Sequence, residues 1–278
     1  MEYKQTGWKL DPDGRHITFT DGCGIGRVRL IGSRDLATRP IPAITRIRLI
    51  RRVDGYYAQF CIQAQRRVEH VPTGKQVGID VGLKAFSTDS EGNTVENPCH
   101  YRKAEKRLKR LQRRLSHKQK KSKNRKKARQ AVAYAHLKVQ RQREDFARKQ
   151  ANALVTSHDL IAFEELQIRN MVRNRHLAKS IHDAGWGQFL LWVKYYAAMH
   201  TIPVIVVSPH YTSQECSTCG TLVKKTLSVR THVCTACGVV LDRDHNAALN
   251  ILQKALSTVG HTGCAASALV ESLLSSRG

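Results

Sequence analysis

Acidic residues are scarce in this sequence: 22 Asp and Glu stand against 47 Lys and Arg, which leaves a formal net charge of +25. A compact chain this basic repels itself, so the imbalance indicates a polyanionic partner. Long apolar runs are missing too, since no stretch approaches the roughly 18 residues of a membrane-spanning helix. The opening MEYKQTGWKL lacks the apolar segment of a signal peptide. We therefore expect a soluble, cytoplasmic, nucleoid-associated protein with no membrane partner.

Cysteine is used in two different ways. Half of the eight cysteines form two Cys-x-x-Cys pairs separated by 14 residues, and the others are scattered. The paired cysteines are Cys216, Cys219, Cys234 and Cys237. In a reducing cytosol such pairs indicate metal ligands, and four thiolates suit tetrahedral Zn²⁺ with no open position. Gly220 and Gly238 follow the pairs and let the chain turn beneath the ion. The spacing predicts one structural zinc ion in a ribbon at 208–240.

The N-terminal quarter has the pattern of strands. Residues 1–72 contain runs that alternate apolar with polar or basic side chains, as half-buried strands do. Asp54-Gly55 separates two of these runs and is a strong hairpin signal.

Residues 101–150 form the most biased segment, with 21 of the 47 basic residues and only three acids. Leu108, Leu111 and Leu115 lie on one helical stripe, and a second stripe runs from Val132 to Phe146. The pattern predicts two long helices joined by a basic turn, within a helical hairpin at 101–156. A solvated charged tract and a nucleic-acid surface are both open interpretations. The candidate nucleic-acid contacts are Arg113, Arg114, Lys118, Lys120, Lys121, Lys123, Arg125, Lys126, Lys127 and Arg129.

Three acids stand at the ends of predicted elements. Asp80 ends a short apolar strand, Glu164 ends the strand that begins at Leu160, and Asp244 starts a helix. Each alone would be a solvated acid or a helix cap. Together, in a chain so poor in acids, they suggest a site for two Mg²⁺ ions, because shared carboxylates can hold such a pair for phosphodiester hydrolysis.

Two further elements are predicted between these acids. The sequence DAGWGQFLLWVKYYAAMHT indicates a helix with Asp183 as its capping residue. The continuous apolar run IPVIVVS is typical of a strand in the buried middle of a sheet.

Four stretches together resemble one family. They are GIDVGLKAFSTDSEG, IAFEELQIRNM, YTSQECSTCG and CTACGVVLDRDHNAALNI. With the order of the elements around them, they are similar to TnpB (OrfB) proteins, which are RNA-guided nucleases of insertion sequences related to the type V CRISPR effectors. The resemblance covers about residues 75–256 and is weaker in the N-terminal strands.

The resemblance implies a mixed α/β fold built on an RNase H-like RuvC nuclease domain. The implied domains are a partial wedge-like β-barrel at 1–72, a nuclease core at 73–207 that includes the helical hairpin, the zinc ribbon at 208–240, a final nuclease helix at 241–256 and a flexible tail at 257–278. Family members usually carry a longer N-terminal part with a recognition domain, so we expect this chain to be a truncated copy, a misassigned start or a minimal form.

The family's catalytic acids match Asp80, Glu164 and Asp244, which would bind Mg²⁺. Glu165 matches a second acid in the motif, and Asp242 and Asn246 would support the site. The implied function is RNA-guided, metal-dependent cleavage of double-stranded DNA with a guide RNA from the mobile element.

Two rival functions stay open from the sequence. One is an inactive or truncated nucleic-acid-binding accessory protein of the element, and the other is an RNase H-like DNA transposase. The sequence leaves the oligomeric state undetermined.

Overall fold

The computed structural model of the protein describes residues 1–20, 22, 24–32, 43–63, 68–226 and 229–261. It divides into two compact units: the first contains Met1–Arg66 and Lys118–Leu137, and the second contains Arg67–His117 and Lys138–Gly278. No helix in the described part of the chain is both long and apolar enough to cross a membrane.

The described residues of the first unit form two three-stranded antiparallel sheets. Their strands are β1 (Glu2–Lys4), β2 (Trp8–Leu10), β3 (His16–Phe19), β4 (Gly26–Arg29), β5 (Ile44–Arg52) and β6 (Gly55–Ile62). One sheet has the order β1-β5-β6 and the other β2-β3-β4. Both contribute to a single apolar cluster, in which Ile17, Ile44 and Ile47 are fully buried. The predicted hairpin at Asp54-Gly55 is confirmed, while closure of these strands into a barrel stays a prediction.

The second unit is built on a five-stranded mixed sheet. Its strands are β7 (Gln76–Val81), β8 (Ala85–Asp89), β9 (Thr94–Glu96), β10 (Leu160–Glu164) and β11 (Val204–Val207). The order is β11-β10-β7-β8-β9, in which β10 runs parallel to β7 and β11 and the other pairs are antiparallel. The mixed α/β fold that the sequence predicts is therefore present.

Strand β11 lies at the edge of this sheet in the described part of the chain, so its prediction as a middle strand was wrong. Its side chains alternate: Ile205 and Val207 are buried, whereas Val206 between them is 47% exposed. A continuous apolar run therefore failed to distinguish a middle strand from an edge strand that packs on one face.

The basic segment forms two helices, as predicted: α1 (His100–Ser116) and α2 (Lys123–Ser157). Three more helices lie between β10 and β11, namely α3 (Ile168–Met171), α4 (Ala178–Ala184) and α5 (Trp186–His200). Asp183 does not cap α5. It lies near the end of α4, and its carboxylate accepts hydrogen bonds from the backbone N–H groups of Tyr101 and Arg102, at 2.7 and 3.0 Å. It therefore caps the first turn of α1, 82 residues away in sequence.

Each face of the sheet packs against different helices. Ile161 and Phe163 of β10 point to a core with α2, α4 and α5, whereas Leu160 and Ala162 point to the opposite face. That face is covered by the last helix, α6 (Arg243–His261), through Ile251 and Ala255. Helix α6 extends beyond the predicted end at 256, and residues 262–278 of the predicted tail lie outside the described residues.

A glycine allows α6 to lie directly on β7. A Cβ atom at Gly78 would stand 2.2 Å from the carbonyl oxygen of Ala248 and 2.7 Å from the backbone nitrogen of Leu252. Backbone atoms of a packed helix cannot move aside as the end of a long side chain can. Any larger residue at position 78 would therefore force the helix away from the strand.

We predict that Gly78→Ala separates α6 from the sheet. The added methyl group meets backbone atoms, so the free energy of unfolding should fall by about 3 kcal/mol or more. This is the upper end of the usual cost of inserting a methyl group into a packed core. Chemical denaturation would measure this loss. Gly32→Ala is the matched control, because a Cβ there has no atom within 4 Å, and its stability should be nearly unchanged. Equal effects of the two substitutions would contradict the steric argument.

The chain entering β7 is held by one carboxylate. Asp159 accepts hydrogen bonds from the backbone N–H groups of Thr73 and Gly74, from the Thr73 hydroxyl and from the His70 ring, at 2.7–3.0 Å. The hydrogen bonds from Thr73 and His70 hold the pKa of Asp159 well below its usual range. A depressed pKa stabilises the folded state above the unfolded value of about 4, and this stabilisation is lost as the pH falls.

We predict that Asp159→Asn lowers the melting temperature at about pH 7. The difference from the natural chain should shrink towards about pH 3, because Asp159 then becomes protonated in the unfolded chain while it stays ionised in the folded one. Thermal unfolding at both pH values measures the effect. Asp145→Asn is the control, since that exposed acid forms a surface ion pair with Lys149. A difference for Asp159→Asn that grows in acid would contradict the assigned direction.

Candidate functional site

Asp80 and Glu164 face the same side of the sheet. Gly78 and Asp80 share one face of β7 by strand alternation, and Gly78 contacts α6. Glu164 likewise shares a face of β10 with Ala162, which packs towards α6. The parallel register pairs Ala162 with Gly78, and its continuation places Glu164 beside Asp80. Neighbouring strands lie about 4.8 Å apart, so the two carboxylates stand close together under α6.

Helix α6 brings the third acid to this edge. Asp244 lies in its first turn and is 9% exposed. A Cβ atom at Gly82, directly after β7, would be 3.9 Å from Asp244 Oδ2, which places this carboxylate at the end of the strand that carries Asp80. The close contact at Gly78 keeps the helix in this position. The structure thus brings together the three acids that the sequence singled out. Their carboxylate oxygens do not all lie within 4.8 Å of one another.

Two of the three carboxyl groups at this site have altered acidity. Burial raises the pKa of Asp80 to about 8, and the charges of Asp244 and Glu164 add to the increase. Burial also raises the pKa of Glu164, while the hydroxyl of Thr212 opposes the shift by donating a hydrogen bond to Oε2 at 2.8 Å. A cluster of buried acids with raised pKa values favours the binding of positive charge.

Two arginines supply positive charge to Asp244. Arg230 Nη1 lies 3.1 Å from Oδ2, and Arg243 donates from Nε and Nη2 to Oδ1, at 3.0 and 2.9 Å. Neither arginine was recognised from the sequence. No local pattern marks Arg230, because it reaches Asp244 only when the ribbon folds against the helix. Thr212 was missed for the same reason, although it lies in one of the stretches that carry the resemblance.

The two supporting residues have separate roles. The Asp242 carboxylate accepts the backbone N–H of Asp244 at 2.8 Å and caps α6. Asn246 is fully buried, accepts the N–H of Ser217 and donates to the carbonyl of Glu215. It therefore holds the segment around the first cysteine pair, and its side chain faces that segment.

Further side chains of α6 attach to the same segment. Asn250 donates to the carbonyl oxygens of Thr212 and Glu215, and Gln253 donates to that of Ser217. The helix that carries Asp244 is therefore also the support on which the cysteine-bearing segment rests.

The four paired cysteines converge. Their sulfur atoms all lie within 4.8 Å of one another, with Cys216–Cys237 and Cys219–Cys234 separations of 3.7 and 3.6 Å. Gly220 and Gly238 adopt positive φ values of 75° and 77° after each pair, as the sequence predicts. Strands β12 (Thr231–Val233) and β13 (Val240–Asp242) pair beside them and lead into α6. This cluster can hold a metal ion.

Glu165 and the ten candidate nucleic-acid contacts are mostly exposed. Glu165 is exposed and follows β10, so it does not share the half-buried position of Glu164. Of the ten candidate nucleic-acid contacts, eight are exposed, and the exceptions are Lys118 and Arg125. Arg125 donates to the backbone carbonyl of Lys118, which gives it a structural role in the turn between α1 and α2.

Comparison with known proteins identifies relatives of the chain. Residues 59–175 match the OrfB_IS605 family, described as "Probable transposase", and residues 186–251 match the "Cas12f1-like, TNB domain". The chain is 40% identical over 187 residues to a "Putative RNA-guided DNA endonuclease" of Streptomyces pristinaespiralis, covering 66% of this chain and 46% of that protein. Over these residues the chain is similar to the TnpB (OrfB) family.

A second relative spans almost the whole chain. The "Putative RNA-guided DNA endonuclease InsQ" of Escherichia coli (strain K12) is 28% identical over 282 residues, which cover 96% of this chain and 67% of that protein. A solved "CRISPR-Cas12f Ternary Complex" matches 74% of this chain and 44% of its own chain with a TM-score of 0.49 and 20% identity. The chain spans about half the length of the Streptomyces relative.

Proposed function

We propose that this protein is an RNA-guided, metal-dependent DNA endonuclease of the TnpB type. The observation that carries the proposal is the convergence of Asp80, Glu164 and Asp244 at one edge of the mixed sheet, under the helix α6. The relatives named as RNA-guided DNA endonucleases support RNA and DNA as partners. In this proposal the guide RNA comes from the mobile element and the target is double-stranded DNA.

The three acids fit divalent cations. All three supply hard carboxylate oxygens, the donors that Mg²⁺ prefers. The raised pKa values of Asp80 and Glu164 mean that a nearby positive charge would stabilise their ionised forms. Asp244 already binds two guanidinium groups. Asp80, Glu164 and Asp244 would hold two Mg²⁺ ions, which supply an activated water and stabilise the leaving oxygen of a phosphodiester. Thr212 would orient Glu164, and the contact at Gly78 would keep Asp244 in place.

The four cysteines fit zinc. Tetrahedral Zn–S bonds of about 2.3 Å place the sulfur atoms roughly 3.8 Å apart, close to the observed 3.6 and 3.7 Å. Four thiolates leave no position for substrate, so one Zn²⁺ would have a structural role. We propose that it keeps the ribbon folded against α6, where the ribbon supplies Thr212 and Arg230 to the acids.

The exposed lysines and arginines around the α1–α2 turn would contact nucleic-acid backbone. Phosphate contacts of this kind position a nucleic acid without reading its sequence. The buried acidic cluster distinguishes this proposal from a protein that only binds nucleic acid, since such a protein has no need for three adjacent carboxylates.

The first prediction from this proposal concerns the acids. Asp80→Ala, Glu164→Ala and Asp244→Ala should each abolish cleavage of plasmid DNA by the RNA-loaded protein, a loss well beyond the roughly 10- to 100-fold cost of removing an outer-shell metal partner. Double variants should be no worse than single ones, because the three act as a unit. Glu165→Ala is the neighbouring control and should keep its activity. Unchanged cleavage by Asp80→Ala would refute the assignment.

The second prediction concerns zinc. Elemental analysis should find about one zinc ion per chain, and Cys216→Ser should lower both the zinc content and the protease resistance of residues 208–240, because a three-thiolate site binds zinc more weakly. Cys61→Ser is the control, since Cys61 lies in β6 in the other unit. Full zinc content in Cys216→Ser would show that the four cysteines do not form the site.

The third prediction concerns nucleic-acid affinity. Affinity should fall about 10³- to 10⁵-fold between 50 and 200 mM salt if roughly six to ten phosphates are neutralised. Changing Lys120, Lys123, Lys126 and Lys127 together to Gln should flatten this dependence, whereas the same four changes to Arg preserve charge and should leave it intact. Arg125 is spared because it supports the turn. Identical salt slopes for the Gln and Arg variants would indicate a merely solvated surface.

A further inference from the structure

Arg230 makes an unusual contact for a ribbon residue. A single nitrogen, Nη1, lies 3.1 Å from Oδ2 and 3.3 Å from Oδ1 of Asp244, so both carboxylate oxygens converge on one positively charged group. The Arg230 side chain is 41% exposed, whereas that of Asp244 is 12% exposed. The pair therefore joins an accessible cation to a largely buried anion.

The backbone explains how two arginines meet at one acid. The N–H of Arg243 donates to the carbonyl of Arg230 at 2.6 Å, which extends the β12–β13 pairing by one residue. Both side chains leave from this end of the ribbon, beside the start of α6. Arg243 donates hydrogen bonds from Nε and Nη2 to Oδ1 of Asp244, and Arg230 donates from Nη1 to both carboxylate oxygens.

The segment around the first cysteine pair is attached to α6 without Arg230. Asn246, Asn250 and Gln253 already hold the segment around the first cysteine pair through hydrogen bonds of 2.7–3.0 Å. The Arg230 contact differs from these because it engages the residue of α6 that also faces the acidic cluster. An exposed ion pair contributes little to folding stability. The Arg230–Asp244 pair is therefore of interest for its position at the acidic cluster.

We propose that Arg230 is a stand-in cation, which occupies the metal-binding oxygens of Asp244 and is displaced when a divalent cation binds there. This inference rests on the proposed metal site. Arg243 already donates twice to Oδ1 and Arg230 lies against both oxygens, so a metal ion that binds Asp244 competes with Arg230 for the remaining lone pairs. By linkage, each then weakens the other by the same factor. Metal binding would free Arg230 and the adjoining end of the ribbon.

The test measures metal affinity, using the zinc-loaded full chain and Mn²⁺ as the probe. Electron paramagnetic resonance of free Mn²⁺ gives the dissociation constant without any cleavage assay. Arg230→Gln should tighten Mn²⁺ binding by about 5- to 150-fold, the range of typical coupling between two sites. Arg27→Gln is the matched control, because Arg27 pairs with Asp11 at 2.7 Å in the other unit, and Mn²⁺ affinity should not change. Equal Mn²⁺ affinity in Arg230→Gln and the natural chain would overturn the inference.

A second measurement needs no variant. Phenylglyoxal modifies accessible guanidinium groups, and peptide mass spectrometry reports its rate at each arginine. Mn²⁺ should accelerate modification of Arg230 in the natural chain, with Arg27 as the internal standard. An unchanged rate at Arg230 under saturating Mn²⁺ would also overturn the inference.

Asp244→Asn separates this inference from the proposed function. The substitution should weaken Mn²⁺ binding, because it removes a carboxylate ligand. If Asp244→Asn binds Mn²⁺ as tightly as the natural chain, the proposed metal site itself is wrong, and the inference falls with it. If Asp244→Asn loses Mn²⁺ while Arg230→Gln gains nothing, the metal site stands and only the role of Arg230 is refuted.

Discussion

The contact between the backbone of α6 and Gly78 of β7 sets the geometry on which the candidate site depends. Asp80 is fixed by its strand, but Asp244 lies on a helix that could rest at many heights above the sheet. Because residue 78 has no side chain, the backbone at Ala248 and Leu252 packs directly against the strand. The first turn of α6 then lies at the end of β7. The missing side chain thus controls the distance between two acids that are far apart in sequence.

Bringing these acids together creates an electrostatic cost that the surroundings offset only in part. Burial and mutual repulsion raise the pKa of Asp80, and burial raises that of Glu164. Arg230 and Arg243 compensate at Asp244, and Thr212 donates a hydrogen bond to Glu164. Most of these compensating groups come from the ribbon or its connections. A bound cation would offset the same repulsion and burial of the carboxylates, which is why the site fits metal ions.

This arrangement also gives a physical reason for a cysteine cluster directly before a helix that carries a site acid. Neutral amides of α6 bind the carbonyl groups of the first cysteine segment, while Asp242 ends β13 and caps the helix. Ribbon and helix therefore support each other, and a change in one reaches the acids through the other. The apolar face of α6 serves a different purpose, since Ile251 and Ala255 cover the sheet.

Local sequence patterns were enough to predict several elements and sites of this protein. Alternation and helical stripes marked the strands and the two basic helices, cysteine spacing marked the metal-binding cluster, and the positions of three acids at element ends marked the candidate site. Only the tertiary structure decided that Asp183 caps α1, that β11 is an edge strand among the described residues, and that Thr212 and Arg230 reach the acids. The reason is physical: each of these features is a contact or pairing between residues far apart in the chain, and no local periodicity encodes which distant segment a side chain will meet.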